Sequence, residues 1–145
     1  MTPNTPPLSP NGQTHPHSRG WYAALVFVFL WFLLGGVAHF AFTQAEMRIV
    51  PPWVPWPRAA VLVSGVLELL GATGLIWPRT RRFAAWGLFA LTLAVTPAHF
   101  YMLQQPELFA SVPYWALVAR LPLQVGLLAL IAWIALRADS KAGST

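Results

Sequence analysis

The sequence predicts an all-α fold: an integral membrane four-helix bundle with a proline-rich outer loop between its first two helices. Three observations carry this. The chain is 57% hydrophobic and 9% charged, with a mean hydropathy of +0.56. A soluble domain is about a quarter charged, so this chain lacks the polar surface to face water on all sides. Its apolar residues also gather in four blocks rather than being scattered. Each block holds the roughly 20 residues that a helix rising 1.5 Å per residue needs to cross a hydrocarbon core of ~30 Å.

Taken in order, residues 1–19 (MTPNTPPLSPNGQTHPHSR) are rich in Pro, Ser, Thr and Asn and contain no apolar stretch. Such a segment cannot bury enough surface to offset its ordering entropy, so it reads as a disordered tail. It is not a signal peptide, because no charged start leads into a short apolar core. His15 and His17 are expected to be solvated. The spanning domain covers 20–137, with spans at Trp21–Phe42, Ala59–Trp77, Phe83–Tyr101 and Tyr114–Leu136. Helices are required because backbone groups in lipid must be satisfied within the segment. Residues 138–145 form a second disordered tail.

Charge sets the expected direction. Arg19, the Arg79, Arg81 and Arg82 turn, and Arg137 with Lys141 fall on one side. The other side carries Arg48 and Arg58, countered by Glu46 and Glu107. By the positive-inside rule both termini face the cytoplasm. The net charge of +5 therefore reflects topology, and nucleic acid is not an expected partner. With no cysteine, the chain itself carries no disulfide, thiolate metal site or thiol relay. No metal site is expected.

Glu68 lies near the middle of the second span. An ionised carboxylate at that depth costs about 3 kcal/mol, so it is expected to be partnered and useful. Arg120 lies about 8 Å into the fourth span, and Gln124, four residues on, shares its face. His39 and His99 close the outer ends of the first and third spans. Ala38-His39-Phe40 recurs as Ala98-His99-Phe100, a weak internal echo that would relate the two halves as parallel repeats. Ser64, Gly65, Gly71 and Ala72 flank Glu68 with small residues that let another helix approach, and Thr92 and Thr96 stack beneath His99. Pro97 and Pro122 interrupt helical ladders beside the cluster. The expected site is thus Glu68, Arg120, Gln124, His39 and His99, with Glu68 and Arg120 as an ion pair. Above it, Ile49–Pro57 is stiffened by its prolines, and Pro51, Pro52, Trp53 and Pro55 are expected to form a lid.

Several stretches strengthen this reading: HF…RIVPPWVPWP, then SGVLELLGATGLIWPRTRRFAAWGL, PAHFYM and RLPLQ. Over roughly residues 35–137 the chain resembles the DoxX family of small four-span bacterial membrane proteins. The most specific elements are the Pro-Pro-aromatic-x-Pro loop, the Gly65-x-x-Glu68 step and the Arg120-Leu-Pro-Leu-Gln124 run. His99 departs from the Asn expected after Pro-Ala. The resemblance implies a four-helix bundle, and its relatives include the small subunit of a thiosulfate:quinone oxidoreductase and a component of a mycobacterial membrane oxidoreductase complex.

Two functional readings follow. In the first, the chain is an accessory inner-membrane subunit of a redox or respiratory assembly, not catalytic on its own, whose polar site takes a quinone-like headgroup or relays protons. Its partners would be the bilayer, redox subunits and further copies of the chain. In the second, it is a structural, assembly or small-solute transport protein whose polar cluster only fixes helix packing. A less favoured third makes His39 and His99 axial ligands of a b-type haem.

Overall fold

In the computed structural model, residues 18–138 are described. The tails expected at 1–17 and 139–145 lie outside the described residues, as do His15 and His17. Ser18 and Arg19, assigned above to the first tail, belong to the start of the first helix. The Ser18 hydroxyl accepts from the Trp21 amide at 3.3 Å, an N-cap.

All regular structure among the described residues is helical. Helix α1 spans Arg19–Ala41, α2 Thr43–Met47, α3 Pro57–Ile76, α4 Arg81–Ala94, α5 Thr96–Gln104 and α6 Tyr114–Ala138, with a 3-10 turn at Pro106–Phe109. Four of the resulting segments are long and apolar enough to cross a membrane: α1, α3, α4 continuing into α5, and α6. Helices α1, α3, α4 and α6 form a ring in which each packs on the next and α6 returns to α1. Short connections make the order up-down-up-down, a four-helix bundle.

The third span, expected as one helix with its ladder interrupted at Pro97, is divided into two helices. Pro97 has no amide hydrogen and its ring crowds the Leu93 carbonyl. The Ala98 amide instead reaches Val95 at 3.1 Å, a tighter turn that separates α4 from α5. Pro122 does not break α6, which runs on through it.

Two helix crossings depend on glycine. A Cβ on Gly65 would lie 2.8 Å from the His39 Cβ and 3.2 Å from the Gly36 carbonyl oxygen, and one on Gly36 would lie 3.1 Å from the Gly65 carbonyl oxygen. The α1 and α3 backbones therefore touch, as small-residue crossings allow. Gly71 and Gly74 face the side chains of Leu88 and Ala84 of α4, so the small residues around Glu68 serve two neighbours rather than one.

The two ends of the bundle differ. At the end that carries Ser18 and Ala138, Trp21 and Val28 of α1, Leu75 of α3, Leu88 of α4 and Ile131 with Ile134 of α6 are essentially inaccessible and form one apolar core. Arg81 closes this end. Its Nε donates to the Leu75 carbonyl at 2.8 Å, its Nη2 to the Ile76 carbonyl at 3.0 Å, and its guanidinium lies 5.2 Å from the centre of the Trp21 ring. These bonds satisfy carbonyls left open at the C-terminus of α3. Arg81→Ala should destabilise the bundle by about 2 kcal/mol, measured by unfolding in mixed detergent micelles, because it removes two charged hydrogen bonds and a cation–π contact. Arg79→Ala, at an exposed turn, should change little.

At the opposite end a smaller cluster of Met102, Phe109 and Leu117, with Ile49 packed on it, holds the loops together. Trp56 is the one non-glycine residue among those described with positive φ, at φ 55° and ψ 62°. A bulky residue held there costs about 1–3 kcal/mol. It delivers the chain to Pro57, whose fixed φ suits the first helical position of α3.

Candidate functional site

Between these two clusters lies a cavity of about 580 Å³. His39, Glu68, His99, Arg120 and Gln124 all line it. The five polar residues singled out in the sequence thus converge, drawn from α1, α3, α5 and α6. The lid loop takes part through Pro51 and Trp53, which line the cavity together with Val50 and Val54. Pro52 and Pro55, also expected in the lid, are exposed and do not line it. Trp53 meets Tyr101 of α5 edge-on at 6.1 Å, and Tyr101 meets Phe109 at 6.1 Å, so an aromatic chain seats the loop against α5.

The expected Glu68–Arg120 ion pair is not formed. Glu68 Oε1 lies 3.5 Å from His39 Nε2, and Arg120 Nη1 instead meets the Met102 sulfur at 3.2 Å. Helix order explains this. The glycine crossing puts Glu68 against α1, whereas α6 packs on α4 and α5 and carries Arg120 toward Met102. Arg120 therefore lines the cavity with no carboxylate at ion-pair distance among the described residues. The other Glu68 oxygen, Oε2, is enclosed and has no hydrogen-bond partner among the described residues, as is also true of His39 Nδ1. A Cβ on Gly35 would lie 2.6 Å from that Oε2, so only glycine leaves room for the carboxylate there.

On the far wall Gln124 is buried and fully used. Its Nε2 donates to the Thr92 carbonyl at 2.8 Å and to the Thr96 hydroxyl at 2.6 Å, while its Oε1 meets His99 Nδ1. The Thr96 hydroxyl in turn donates to the Thr92 carbonyl at 3.2 Å. This network ties α6 to both sides of the break at Val95.

The internal echo reaches further than the repeated Ala-His-Phe. His39 of the first span pairs with Glu68 of the second; His99 of the third pairs with Gln124 of the fourth. Gln124 is the neutral counterpart of Glu68. Sequence reasoning placed Gln124 beside Arg120 but missed this pairing, which was visible once each His was matched to the polar residue of the following span. It also missed Glu46 and Trp31, which line the cavity. Glu46, in α2, was readable only as a charge outside the spans.

These features define a class: a small all-helical protein with four helices long and apolar enough to cross a membrane and a polar cavity near one end of the bundle. Within that class, the chain belongs to the family described as Domain of unknown function (DUF8561), which matches residues 22–136. No curated protein and no solved structure matches the chain.

Proposed function

We propose that this is a multi-pass bacterial inner-membrane protein with both termini in the cytoplasm, acting as an accessory subunit of a membrane redox assembly. On this reading the cavity takes a quinone-like headgroup. Membrane placement is supported by the outward apolar surface, where Leu34, Leu70, Leu123 and Val125 are each more than 60% exposed. A soluble monomer rarely exposes so much apolar area. The resemblance to the DoxX family supports the redox setting, and the basic residues at the Arg81 end support the orientation.

The observation that carries the ligand reading is Arg120. It is a cation within a spanning segment that lines the cavity, and among the described residues no carboxylate lies at ion-pair distance from it. Intramembrane charges normally pair or serve a function. A carbonyl-bearing headgroup would accept hydrogen bonds from its guanidinium, while Trp31, Phe32 and Leu127 would enclose an apolar body. The test is to purify the full chain in mild detergent, extract it and measure quinone by mass spectrometry. Quinone is expected at near-stoichiometric amounts in the wild type and at least tenfold less in Arg120→Met. Equal, trace amounts in both would sink the reading.

A second reading has one observation in its favour: both polar pairs, His39–Glu68 and His99–Gln124, join neighbouring elements. Such pairs fix helix register with or without a ligand.

A further inference from the structure

The hydrogen bonds of Gln124 determine which way the His99 ring presents its proton. The Thr92 carbonyl can only accept, so the amide atom 2.8 Å from it must be the nitrogen. The Thr96 hydroxyl spends its proton on the same carbonyl, so its oxygen also accepts from that nitrogen. Turning the amide over would set its oxygen against the Thr92 oxygen. The Gln124 oxygen therefore faces His99 Nδ1, and Nδ1 must carry the ring proton to donate to it.

Among the described residues no carboxylate lies at ion-pair distance from His99, so no anion is there to hold a second proton on the ring. Its Nε2 is then an unprotonated acceptor. Among the described residues this atom has no hydrogen-bond partner, and it is not among the enclosed unpartnered atoms, so it keeps accessible surface. His99 lines the cavity, and Arg120, one turn from Gln124 on α6, stands beside it as a donor. By contrast the free oxygen of Glu68 is enclosed against Gly35 and is not offered to a ligand.

We infer that the cavity selects a hydroxyl-bearing aromatic headgroup, a hydroquinone or phenol with an apolar body, whose O–H donates to His99 Nε2 while its oxygen accepts from Arg120. The inference rests on the ligand reading above and names the reduced form as the one preferred. A quinone carbonyl has no proton to give and would leave Nε2 unmatched, and sites that bond a hydroxyl discriminate strongly against analogues lacking it. Gln124 acts here as a positioning residue. By fixing the tautomer it makes His99 an acceptor, a device familiar from histidines whose second nitrogen is held by a partner.

The test uses the full chain in detergent micelles with ¹⁵N-labelled histidine and tryptophan, titrated with 4-propylphenol and with its methyl ether, 4-propylanisole. Without ligand, His99 should show the Nδ1–H tautomer, and Gln124→Leu should abolish that single-tautomer signature. The phenol should bind at least tenfold more tightly than the ether and move the His99 Nε2 resonance. Both probes should perturb the Trp31 and Trp53 indole signals. In His99→Phe the two probes should bind equally. An Nε2–H tautomer, or equal binding of both probes in the wild type, would overturn the hydroxyl preference and leave the cavity as a binding site. Failure of both probes to perturb any cavity signal would remove both the inference and the ligand reading beneath it.

Discussion

Gly65→Val is expected to be the most damaging single change in the bundle. A Cβ at this position meets the His39 Cβ at 2.8 Å, a Phe40 ring carbon at 3.0 Å and the Gly36 carbonyl oxygen at 3.2 Å. Two of these obstacles are backbone or next to it, so no rotamer change relieves them. Helices α1 and α3 must separate, and the two extra methyl groups force them further. Overpacking of a tight core costs roughly 1–3 kcal/mol, and this substitution belongs at the upper end of that range. Gly36→Ala is the informative comparison. Its nearest obstacles are Leu69 side-chain carbons at 2.8 and 2.9 Å, which can swing away, and the Gly65 carbonyl oxygen at 3.1 Å, from which the backbone must ease by a few tenths of an ångström. It also gains helix propensity over glycine, worth about 0.5–1 kcal/mol. Unfolding in mixed micelles should show a loss of about 3 kcal/mol for Gly65→Val and a smaller one, about 1 kcal/mol, for Gly36→Ala. Equal stability of Gly65→Val and wild type would contradict the crossing itself.

The second large effect concerns His39 and Glu68. His39→Phe leaves an enclosed carboxylate without its imidazole, and removing one partner of a buried pair costs about 3 kcal/mol or more. Glu68→Leu leaves the imidazole without an acceptor, at about 2 kcal/mol. The double variant His39→Phe/Glu68→Leu replaces both groups with apolar ones, which is often close to neutral. Stability measured around this double-mutant cycle should show a coupling of at least about 2 kcal/mol. Pairing Glu68→Leu with Arg120→Met should show almost none, because those two side chains are not partners in the structure. Full rescue with unchanged ligand content would assign the His39–Glu68 pair to helix register alone.

The spans were legible because a lipid-facing helix has little choice of composition. Apolar length alone placed α1, α3 and α6 to within about two residues at each end, well inside the tolerance of any boundary assignment. The break at Val95 was only half visible. Pro97 and Pro122 look alike in sequence, since both lack an amide hydrogen. At Pro97 the displaced turn is held by Gln124 bonds to Thr92 and Thr96 from another helix, a contact no local pattern encodes. The membership of the polar site was legible because a His, Glu, Arg or Gln inside an apolar run has to find company. The pairing within it was not. Opposite charge suggested Glu68 with Arg120, but partners are chosen by which helices are neighbours. That order is set by glycine crossings whose reach the sequence does not state.

The contrast between the two ends of the bundle has a consequence for traffic. The Trp21–Ile134 end is a closely packed apolar plug, while the cavity sits behind the Trp53 loop at the other. The molecule is therefore shaped like a cup rather than a pipe. A small molecule admitted to it must leave through the mouth by which it came, or sideways between the helices. A bundle built this way can hold a cargo for a neighbour, but its described residues leave no open channel from one end to the other.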